Sequence, residues 1–194
     1  IPGDFILPFF RHVEASGILP LVALSHEPSL GFAADAAARM NMGLGVVAVT
    51  YGAGALNTVN AIACAYAERS PVVVIAGAPG ARERQSGLLL HHQARDVDTQ
   101  LAVFREITCD QAVLTDAATA PREIARVLHS ASERSLPVYI EFPRDMVAAQ
   151  CDATALVLLA CLGNTGKMDE PRDQQFLHVE CDRLERQRRA QLFL

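Results

Sequence analysis

The alternation of apolar runs with helical patterns is the feature that most constrains the fold of this chain. Apolar runs at residues 18–24, 45–51, 71–77 and 137–142 each have the length of a buried strand. Apolar strands joined by helices are typical of a parallel sheet that is covered on both faces. We therefore predict an α/β fold that binds ligands at the carboxyl ends of its strands.

The stretches between these runs predict the helices and connections. Small residues at i, i+3, i+4 spacing predict a close-packed helix whose buried face is Leu30, Ala33, Ala34, Ala37 and Ala38. Further helices are predicted at residues 5–15, at 55–67, over a short stretch at 98–104, and from Thr119 onward. Residues 106–114 are expected to be an extended connection or an edge strand, and residues 81–86 a mobile surface loop.

Charge and hydropathy argue against two classes of partner. The net charge is −5 and the basic residues form no run before the final stretch, which disfavours nucleic acid and anionic membranes. The longest apolar run, residues 153–162, is shorter than the roughly 20 residues that a membrane-spanning helix needs. From Lys167 onward opposite charges alternate, so this tail is expected to be a helix at best, or disordered.

The five cysteines indicate a reducing compartment. They show neither Cys-x-x-Cys pairs nor metal-ligand spacing, so a disulfide framework and a zinc site are both disfavoured. The chain starts at Ile1 without a secretory signal, and it is expected to begin inside a longer protein. These features together predict a cytoplasmic location.

Glu27 is the residue around which the candidate site is organised. Pro28 favours the first turn of a helix, which places Glu27 at or next to the N-cap, where the 18–24 run ends. Glutamate is a poorer cap than Ser, Thr, Asp or Asn, so a glutamate between strand and helix is a candidate for another task. The alternative is an acid that the helix dipole merely favours.

Gly52 and Gly54 predict a flexible turn after the second apolar run. The turn is similar to a phosphate loop, but Asn57 stands where a third glycine would be, and no acidic residue follows the next strand. A nicotinamide-binding site is therefore disfavoured. A Walker A loop is excluded because no Gly-Lys-Ser/Thr follows.

Asp4, His91 and His92 are the remaining candidate site residues. An isolated Asp ahead of a helix is usually an N-cap. Adjacent histidines cannot share one helical face, which disfavours a metal site with i, i+4 spacing. Leucines at residues 88–90 indicate an apolar-lined location in which the pKa of an imidazole matters, and the alternative is a solvated pair.

These motifs together give a specific resemblance over residues 1–147. The sequence resembles the pyrimidine-binding (PYR) domain of thiamine-diphosphate-dependent 2-oxo acid decarboxylases, most closely the phenylpyruvate/indolepyruvate branch. The matching segments are IPGDF at residues 1–5, SHEP at 25–28, GFAADAAAR at 31–39, VTYGAG at 49–54, AYAERSP at 65–71, SGLLLHHQ at 86–93 and PVYIEFP at 137–143.

The resemblance implies catalytic roles for four residues. Glu27 corresponds to the family's cofactor-activating glutamate, which hydrogen-bonds the aminopyrimidine ring and favours its imino tautomer. An apolar site would raise the pKa of this carboxyl group toward that of a useful acid. Asp4, His91 and His92 correspond to the family's active-site aspartate and tandem histidines, which look like proton carriers and carbonyl orienters. Thiamine diphosphate would act as the electron sink when a 2-oxo acid loses carbon dioxide.

The resemblance also implies a cofactor pocket that this chain only half supplies. Thr50, Tyr51 and Gly52 would lie beside the pyrimidine, together with Glu27. The Gly-Asp-Gly and later Asn that hold Mg²⁺ and diphosphate in the family are not in this sequence, so no metal ligand is predicted here. A diphosphate-binding domain or subunit is the expected partner, in a homo-oligomer, and the chain alone is expected to be inactive.

Three departures from the family pattern limit the resemblance. Ala94 stands where related enzymes usually have glycine, and the loop would be strained or altered if that position needs a positive φ. The family's first strand and helix would precede Ile1. Residues 148–194 have no recognised counterpart, so the predicted domains are residues 1–147 and an unassigned tail.

Two alternatives remain open from the sequence. One is the small subunit of a two-chain decarboxylase of the sulfopyruvate type. The other is a truncated, non-catalytic interaction module whose alanine-rich helices bury a partner surface. Glu27, Asp4 and the histidine pair weigh against the second alternative, because a module without chemistry does not need them.

Overall fold

Four parallel strands form the centre of the protein. The computed structural model describes residues 2–152. The strands are β1 (Gly45–Val49), β2 (Val72–Ala78), β3 (Gln111–Val113) and β4 (Val138–Pro143), in the sheet order β1-β2-β4-β3. Val47 pairs with Val74, and Ile140 pairs with both Ile75 and Ala112. All three pairings are parallel, so the carboxyl ends of the strands lie along one edge.

Seven helices accompany these strands within residues 2–152. They are α1 (Leu7–Ser16), α2 (Glu27–Asn41), α3 (Ala53–Leu56), α4 (Val59–Ala67), α5 (Ala81–Gln85), α6 (Thr99–Arg105) and α7 (Ala120–Arg134).

Apolar side chains cover both faces of the sheet. Alternate residues of a strand point to opposite faces, and in β2 Val72 and Val74 belong to a core cluster with Ile62 and Phe104. Val73 instead packs with Val127 of α7 in a second cluster. The prediction of an α/β fold with helices on both faces of a parallel sheet is confirmed.

Helix α2 lies unusually close to its neighbours. A Cβ atom added at Gly31 would lie 2.6 Å from the Ala61 Cβ, and one at Gly45 would lie 2.0 Å from the Ala34 carbonyl oxygen. The predicted close approach is therefore present. The predicted face is shifted by one residue, because the buried residues are Gly31, Ala34, Asp35 and Ala38, whereas Ala33 and Ala37 are exposed.

The prediction of a buried strand at residues 18–24 is wrong. These residues form neither helix nor strand, and Ile18 and Val22 are 64% and 77% exposed. A strand needs a neighbour that supplies ladder hydrogen bonds, and the only pairing of β1 within residues 2–152 is with β2. Apolar composition alone does not supply that neighbour.

The predicted mobile loop at residues 81–86 is also wrong, because residues 81–85 form α5. Its first turn is held by acidic side chains: the Gly80 N–H donates to Glu83 Oε2 at 2.9 Å, and the Ala81 N–H donates to Asp145 Oδ2 at 2.9 Å. Carboxylates that accept from first-turn amides stabilise a helix start. The polar composition of the segment concealed this capping.

The remaining predictions agree closely with the elements. Helices α1, α6 and α7 and edge strand β3 lie where they were expected, and the predicted helix at residues 55–67 is divided into α3 and α4 at Asn57 and Thr58. Within residues 2–152 no helix is long and apolar enough to cross a membrane. The predicted apolar segment at 153–162 and the charged tail lie outside the described residues.

Candidate functional site

Glu27 begins α2, directly after an N-cap residue, His26, that makes no side-chain capping hydrogen bond. The Glu27 side chain is fixed from another element: Asn57, at the junction of α3 and α4, donates its Nδ2 hydrogen to Glu27 Oε2 at 2.9 Å. The carboxylate is half-buried and does not lie in the core. It is therefore both held and reachable.

The pKa of Glu27 lies below its ordinary value. Burial is the largest single influence and raises it, while the hydrogen bond from Asn57, the residue's own backbone amide and the nearby His26 are among the influences that lower it, and the net shift is downward. The expectation of a raised pKa is therefore wrong for this chain. Its apolar run at 18–24 does not enclose the carboxylate, and Asn57 stabilises the charged form.

Gly54 leaves space beside the free oxygen of this carboxylate. A Cβ atom at Gly54 would lie 3.6 Å from Glu27 Oε1 and 2.8 Å from Thr50 Cγ2. A side chain there would fill the region that the two residues share. A carboxylate acceptor next to such a space fits the ring N–H of a flat heterocycle such as an aminopyrimidine.

Asp4 lies in a turn above the strand ends. The Ile6 and Leu7 amides both donate to the Gly3 carbonyl oxygen at 3.0 Å, and Asp4 is exposed. A Cβ atom at Gly3 would lie 2.6 Å from Thr50 Oγ1. Close contact of this kind brings the turn against the end of β1.

The turn also covers the end of β2. A Cβ atom at Gly77 would lie 2.5 Å from the Phe5 carbonyl carbon and oxygen, so the Phe5 backbone lies directly on the strand. The N-cap of α1 is Ile6, without a side-chain hydrogen bond. Asp4 therefore does not have the capping role that an isolated Asp before a helix usually has.

His91 and His92 form a turn that contacts the segment after β1 at Gly52 and Ala53. Their ring centroids are 3.8 Å apart. The His92 carbonyl oxygen accepts a hydrogen bond from the Ala53 amide at 3.1 Å, and a Cβ atom at Gly52 would lie 1.9 Å from that oxygen. The histidine turn is thus packed directly on the Gly52 turn.

The surroundings of the histidines differ from the prediction of an apolar lining. Leu88 and Leu89 are 72% and 81% exposed, and both histidines are exposed in this chain. Leucines that neighbour a residue in sequence line it only if the chain folds back on them. The left-handed residue of the loop is His92, with φ of 61°, so Ala94 is not the strained position.

Comparison with known proteins agrees with this geometry. Residues 1–103 match the family described as thiamine pyrophosphate enzyme, N-terminal TPP binding domain. The chain belongs to the thiamine pyrophosphate enzyme family. Indole-3-pyruvate decarboxylase of Azospirillum brasilense is 65% identical over 152 residues, which cover 78% of this chain and 28% of that protein. Pyruvate decarboxylase of Aspergillus parasiticus is 42% identical over 149 residues, which cover 76% and 26%. The chain spans about a quarter of the length of these curated relatives.

In this thiamine pyrophosphate enzyme domain, Thr50 and Gly52 follow the end of β1, and the Thr50 side chain lies next to Gly3 and Gly54. Tyr51 differs from both. Its ring is 1% exposed and meets Phe5 edge to face, at 5.2 Å between centroids, and its hydroxyl donates to the Val97 carbonyl oxygen at 3.1 Å. Burial raises the pKa of this phenol. Any contact of Tyr51 with a ligand must come from its backbone.

Sequence reasoning missed the residues that support this edge. They are Asn57, which holds Glu27, and a buried polar set behind the Gly52 turn: Arg84, Gln100, Tyr139 and Glu141. A signal for the set existed, since Glu141 is a charged residue within the otherwise apolar run at 137–142. A charged side chain is rarely buried without a partner, so a glutamate in this run indicates a buried hydrogen-bonding or ionic partner.

Metal ligands are not grouped in this part of the thiamine pyrophosphate enzyme. Among residues 2–152 no three His, Cys, Asp or Glu side chains lie close enough together to hold a metal ion.

Proposed function

We propose that this chain is the pyrimidine-binding part of a thiamine-diphosphate-dependent, non-oxidative decarboxylase of 2-oxo acids, of the phenylpyruvate/indolepyruvate type. The products are an aldehyde and carbon dioxide. The observation that carries the proposal is the Glu27 carboxylate, which has one oxygen held by Asn57 and the other next to the space beside Gly54. The 65% identity to indole-3-pyruvate decarboxylase supports the choice of substrate class.

Residues near the end of β1 have different proposed roles. Glu27 would accept a hydrogen bond from the aminopyrimidine ring of the cofactor and exchange a proton with that ring. The hydrogen bond from Asn57 keeps the Glu27 carboxylate charged and oriented before the cofactor binds. Thr50, Gly52 and the Tyr51 backbone form the wall of the pyrimidine pocket. Thiamine diphosphate, when bound, supplies the electron sink for the loss of carbon dioxide.

Asp4, His91 and His92 act on the substrate side of the site. The Asp4 turn lies against Thr50, and the histidine turn lies against Gly52, so both turns border the end of β1. Exposed imidazoles can orient a 2-oxo acid by donating hydrogen bonds, and carboxylates and imidazoles are the side chains that most often transfer protons in catalysis. These three residues are proposed to be catalytic together with Glu27.

A second protein component completes the proposed enzyme. Residues 1–147 form the PYR domain, and a diphosphate-binding domain or subunit supplies the Mg²⁺ ligands. We further propose that the complete protein is a cytoplasmic homo-oligomer. Support for the second component comes from the relatives, which are about four times as long as the matched segment.

A complementation assay tests this proposal. The full 194-residue chain is mixed with the part of the Azospirillum brasilense relative that it does not span, thiamine diphosphate and Mg²⁺, and decarboxylation of phenylpyruvate and indole-3-pyruvate is followed. The expected result is turnover that Glu27→Gln lowers by about 100-fold or more. Glu133→Gln, an exposed glutamate of α7, is the matched control and should keep full turnover.

Two results would contradict the proposal. One is a folded, mixed pair that neither binds thiamine diphosphate nor decarboxylates any 2-oxo acid. The other is a Glu27→Gln chain whose turnover equals that of the Glu133→Gln control.

A further inference from the structure

A chain of buried hydrogen bonds ends at the Gly52 turn. The Gly52 amide donates to Gln100 Oε1 at 2.6 Å, Gln100 Nε2 donates to the Tyr139 hydroxyl at 2.6 Å, and Tyr139 donates to Glu141 Oε2 at 2.8 Å. Gln100, Tyr139 and Glu141 are 2%, 0% and 1% exposed. Gln100 and Tyr139 each accept one bond and donate the next, so Gln100 can adopt only one amide orientation here.

Arg84 neutralises the far end of this buried chain. Its guanidinium is hydrogen-bonded to Glu141 Oε1 and donates to Asp98 Oδ1 at 2.8 Å. Burial still raises the pKa of Glu141, although Tyr139 and Arg84 act in the opposite direction. The ion pair reaches the surface through Asp98, which is exposed.

Burying this series of hydrogen-bonded polar side chains costs more free energy than filling the same space with apolar side chains. Each buried polar group loses its hydration, and a buried ion pair is often no more stabilising than apolar residues of the same size. The ring of Tyr139 already stacks on Phe104 at 4.6 Å between centroids. Packing therefore accounts for the ring, but it accounts for neither the hydroxyl nor Gln100 and Glu141.

The near end of the chain fixes a backbone conformation that needs support. Gly52 has φ of 76° and ψ of −130°, a region that is nearly restricted to glycine. The flexibility that allows this conformation also makes it easy to lose. The hydrogen bond from the Gly52 amide to Gln100 fixes the peptide between Tyr51 and Gly52, whereas the Gly52 carbonyl oxygen accepts from the Leu56 amide at 3.0 Å.

Two parts of the proposed site depend on that orientation. On one side the His92 carbonyl oxygen packs on Gly52 and accepts from Ala53. On the other side Thr50 and Gly54 flank the turn and face Glu27. A rotation of the Gly52 peptide would move the histidine turn and the pocket wall relative to each other.

We propose that Gln100, Tyr139 and Glu141 are positioning residues, which fix the Gly52 turn and thereby align the His91–His92 turn with the pocket beside Glu27. None of the three touches the cofactor. Their effect on cofactor affinity rests on the proposed function, whereas their effect on the Gly52 backbone does not.

Amide hydrogen exchange in the full, cofactor-free chain tests the backbone part. Tyr139→Phe keeps the stacked ring and removes only the hydroxyl, and it should speed exchange of the Gly52 amide at least tenfold more than exchange of the Val74 amide in β2. Thr108→Val is the matched control, because the buried Thr108 hydroxyl donates to the Phe104 carbonyl oxygen, outside the chain of bonds. In the control the two amides should change by the same factor.

A second variant separates positioning from general loss of stability. In Gln100→Glu, the introduced carboxyl group can bond both Gly52 and Tyr139 only while it is protonated. The ionised carboxyl group loses the bond to Tyr139 but still accepts from the Gly52 amide, so protection of that amide, corrected for intrinsic exchange, should be retained at every pH. The isosteric Gln100→Met should lack protection at every pH. A Gly52 amide that responds to none of these changes overturns the inference.

Cofactor binding tests the functional part. In the assembled enzyme Tyr139→Phe should weaken thiamine diphosphate binding, measured by calorimetry, by about tenfold, while Thr108→Val leaves it unchanged. Faster Gly52 exchange with unchanged affinity overturns the positioning role. A failure of the proposed function is distinguishable, because the unsubstituted chain would then bind no cofactor while the Gly52 exchange result still decides the backbone claim.

Discussion

The rim of the site and the buried polar chain behind it are built in opposite ways. At the rim, Glu27, Asp4 and the two histidines are exposed or half-buried, and the hydrogen bond that fixes Glu27 comes from Asn57. In the buried chain Gln100, Tyr139 and Glu141 are almost inaccessible and fully bonded to one another. The rim contains the side chains that are candidates for reaction. The buried hydrogen-bonded side chains contact the Gly52 backbone behind them.

The two regions meet at the Gly52 peptide. This comparison teaches that a motif of reactive residues is not a complete description of a site. The geometry also depends on residues that never meet a ligand, and these are harder to find because buried polar groups carry no sequence motif.

Gly52→Ala should have the largest effect on stability, because it disrupts the turn where the two regions meet. A Cβ atom there would overlap the His92 carbonyl oxygen at 1.9 Å in a conformation that disfavours any side chain. The free energy of unfolding, measured in urea, should fall by about 4 kcal/mol or more. Gly17→Ala has a similar positive φ and open space around it, so it should cost only about 1 kcal/mol. Equal losses in the two variants would contradict the predicted contact.

Arg84→Met should have the next largest effect, because it leaves the Glu141 carboxylate buried without its cation. The expected loss of stability is about 3 kcal/mol at neutral pH. Burial places the pKa of Glu141 above its ordinary value, so its contribution is favourable at low pH and is lost as the pH rises through that raised pKa. Removal of Arg84 raises this pKa further.

The cost of Arg84→Met should therefore shrink between about pH 8 and about pH 5. Urea unfolding at both pH values measures it, and the double variant with Glu141→Gln should recover most of the loss. A cost that is independent of pH would show that the ion pair does not control the charge of Glu141.

Asn57→Ala should have the smallest effect on stability, because Asn57 is exposed. Its consequence is electrostatic: the pKa of Glu27 should rise once burial is no longer outweighed by this hydrogen bond. Carbon-13 NMR titration of the glutamate carboxyl groups measures the change. The control is Asn60→Ala, which changes an exposed asparagine of α4 and should leave the pKa of Glu27 unchanged. An identical Glu27 titration in both variants would show that Asn57 does not lower this pKa.

Periodicity predicted the elements whose stability is local or comes from a clear apolar pattern. Strands β1, β2 and β4 were found because they are apolar on both faces, and α7 because Val127 and Ala131 recur on one side. The run at 18–24 has the same composition but lacks a pairing neighbour among the described residues. Pairing is a property of the whole sheet and cannot be read from one segment.

The site was predictable to the extent that its groups are chemically distinctive. Glu27 was selected by residue type and turn context, and Asp4, His91 and His92 by the family resemblance; the Asp4 turn lies against Thr50 and the histidine turn against Gly52. The lowered pKa of Glu27 was not predictable, because it depends on Asn57, thirty positions away in sequence. The link from Gln100 to Gly52 spans 48 positions and leaves no periodic signal.

The most direct test is a crystal structure of the assembled enzyme with thiamine diphosphate bound. The account predicts a hydrogen bond of about 2.7 Å between Glu27 Oε1 and a pyrimidine ring nitrogen, with Oε2 still bonded to Asn57. A pyrimidine ring that binds away from Glu27 would contradict the central claim, whatever the activity of the enzyme.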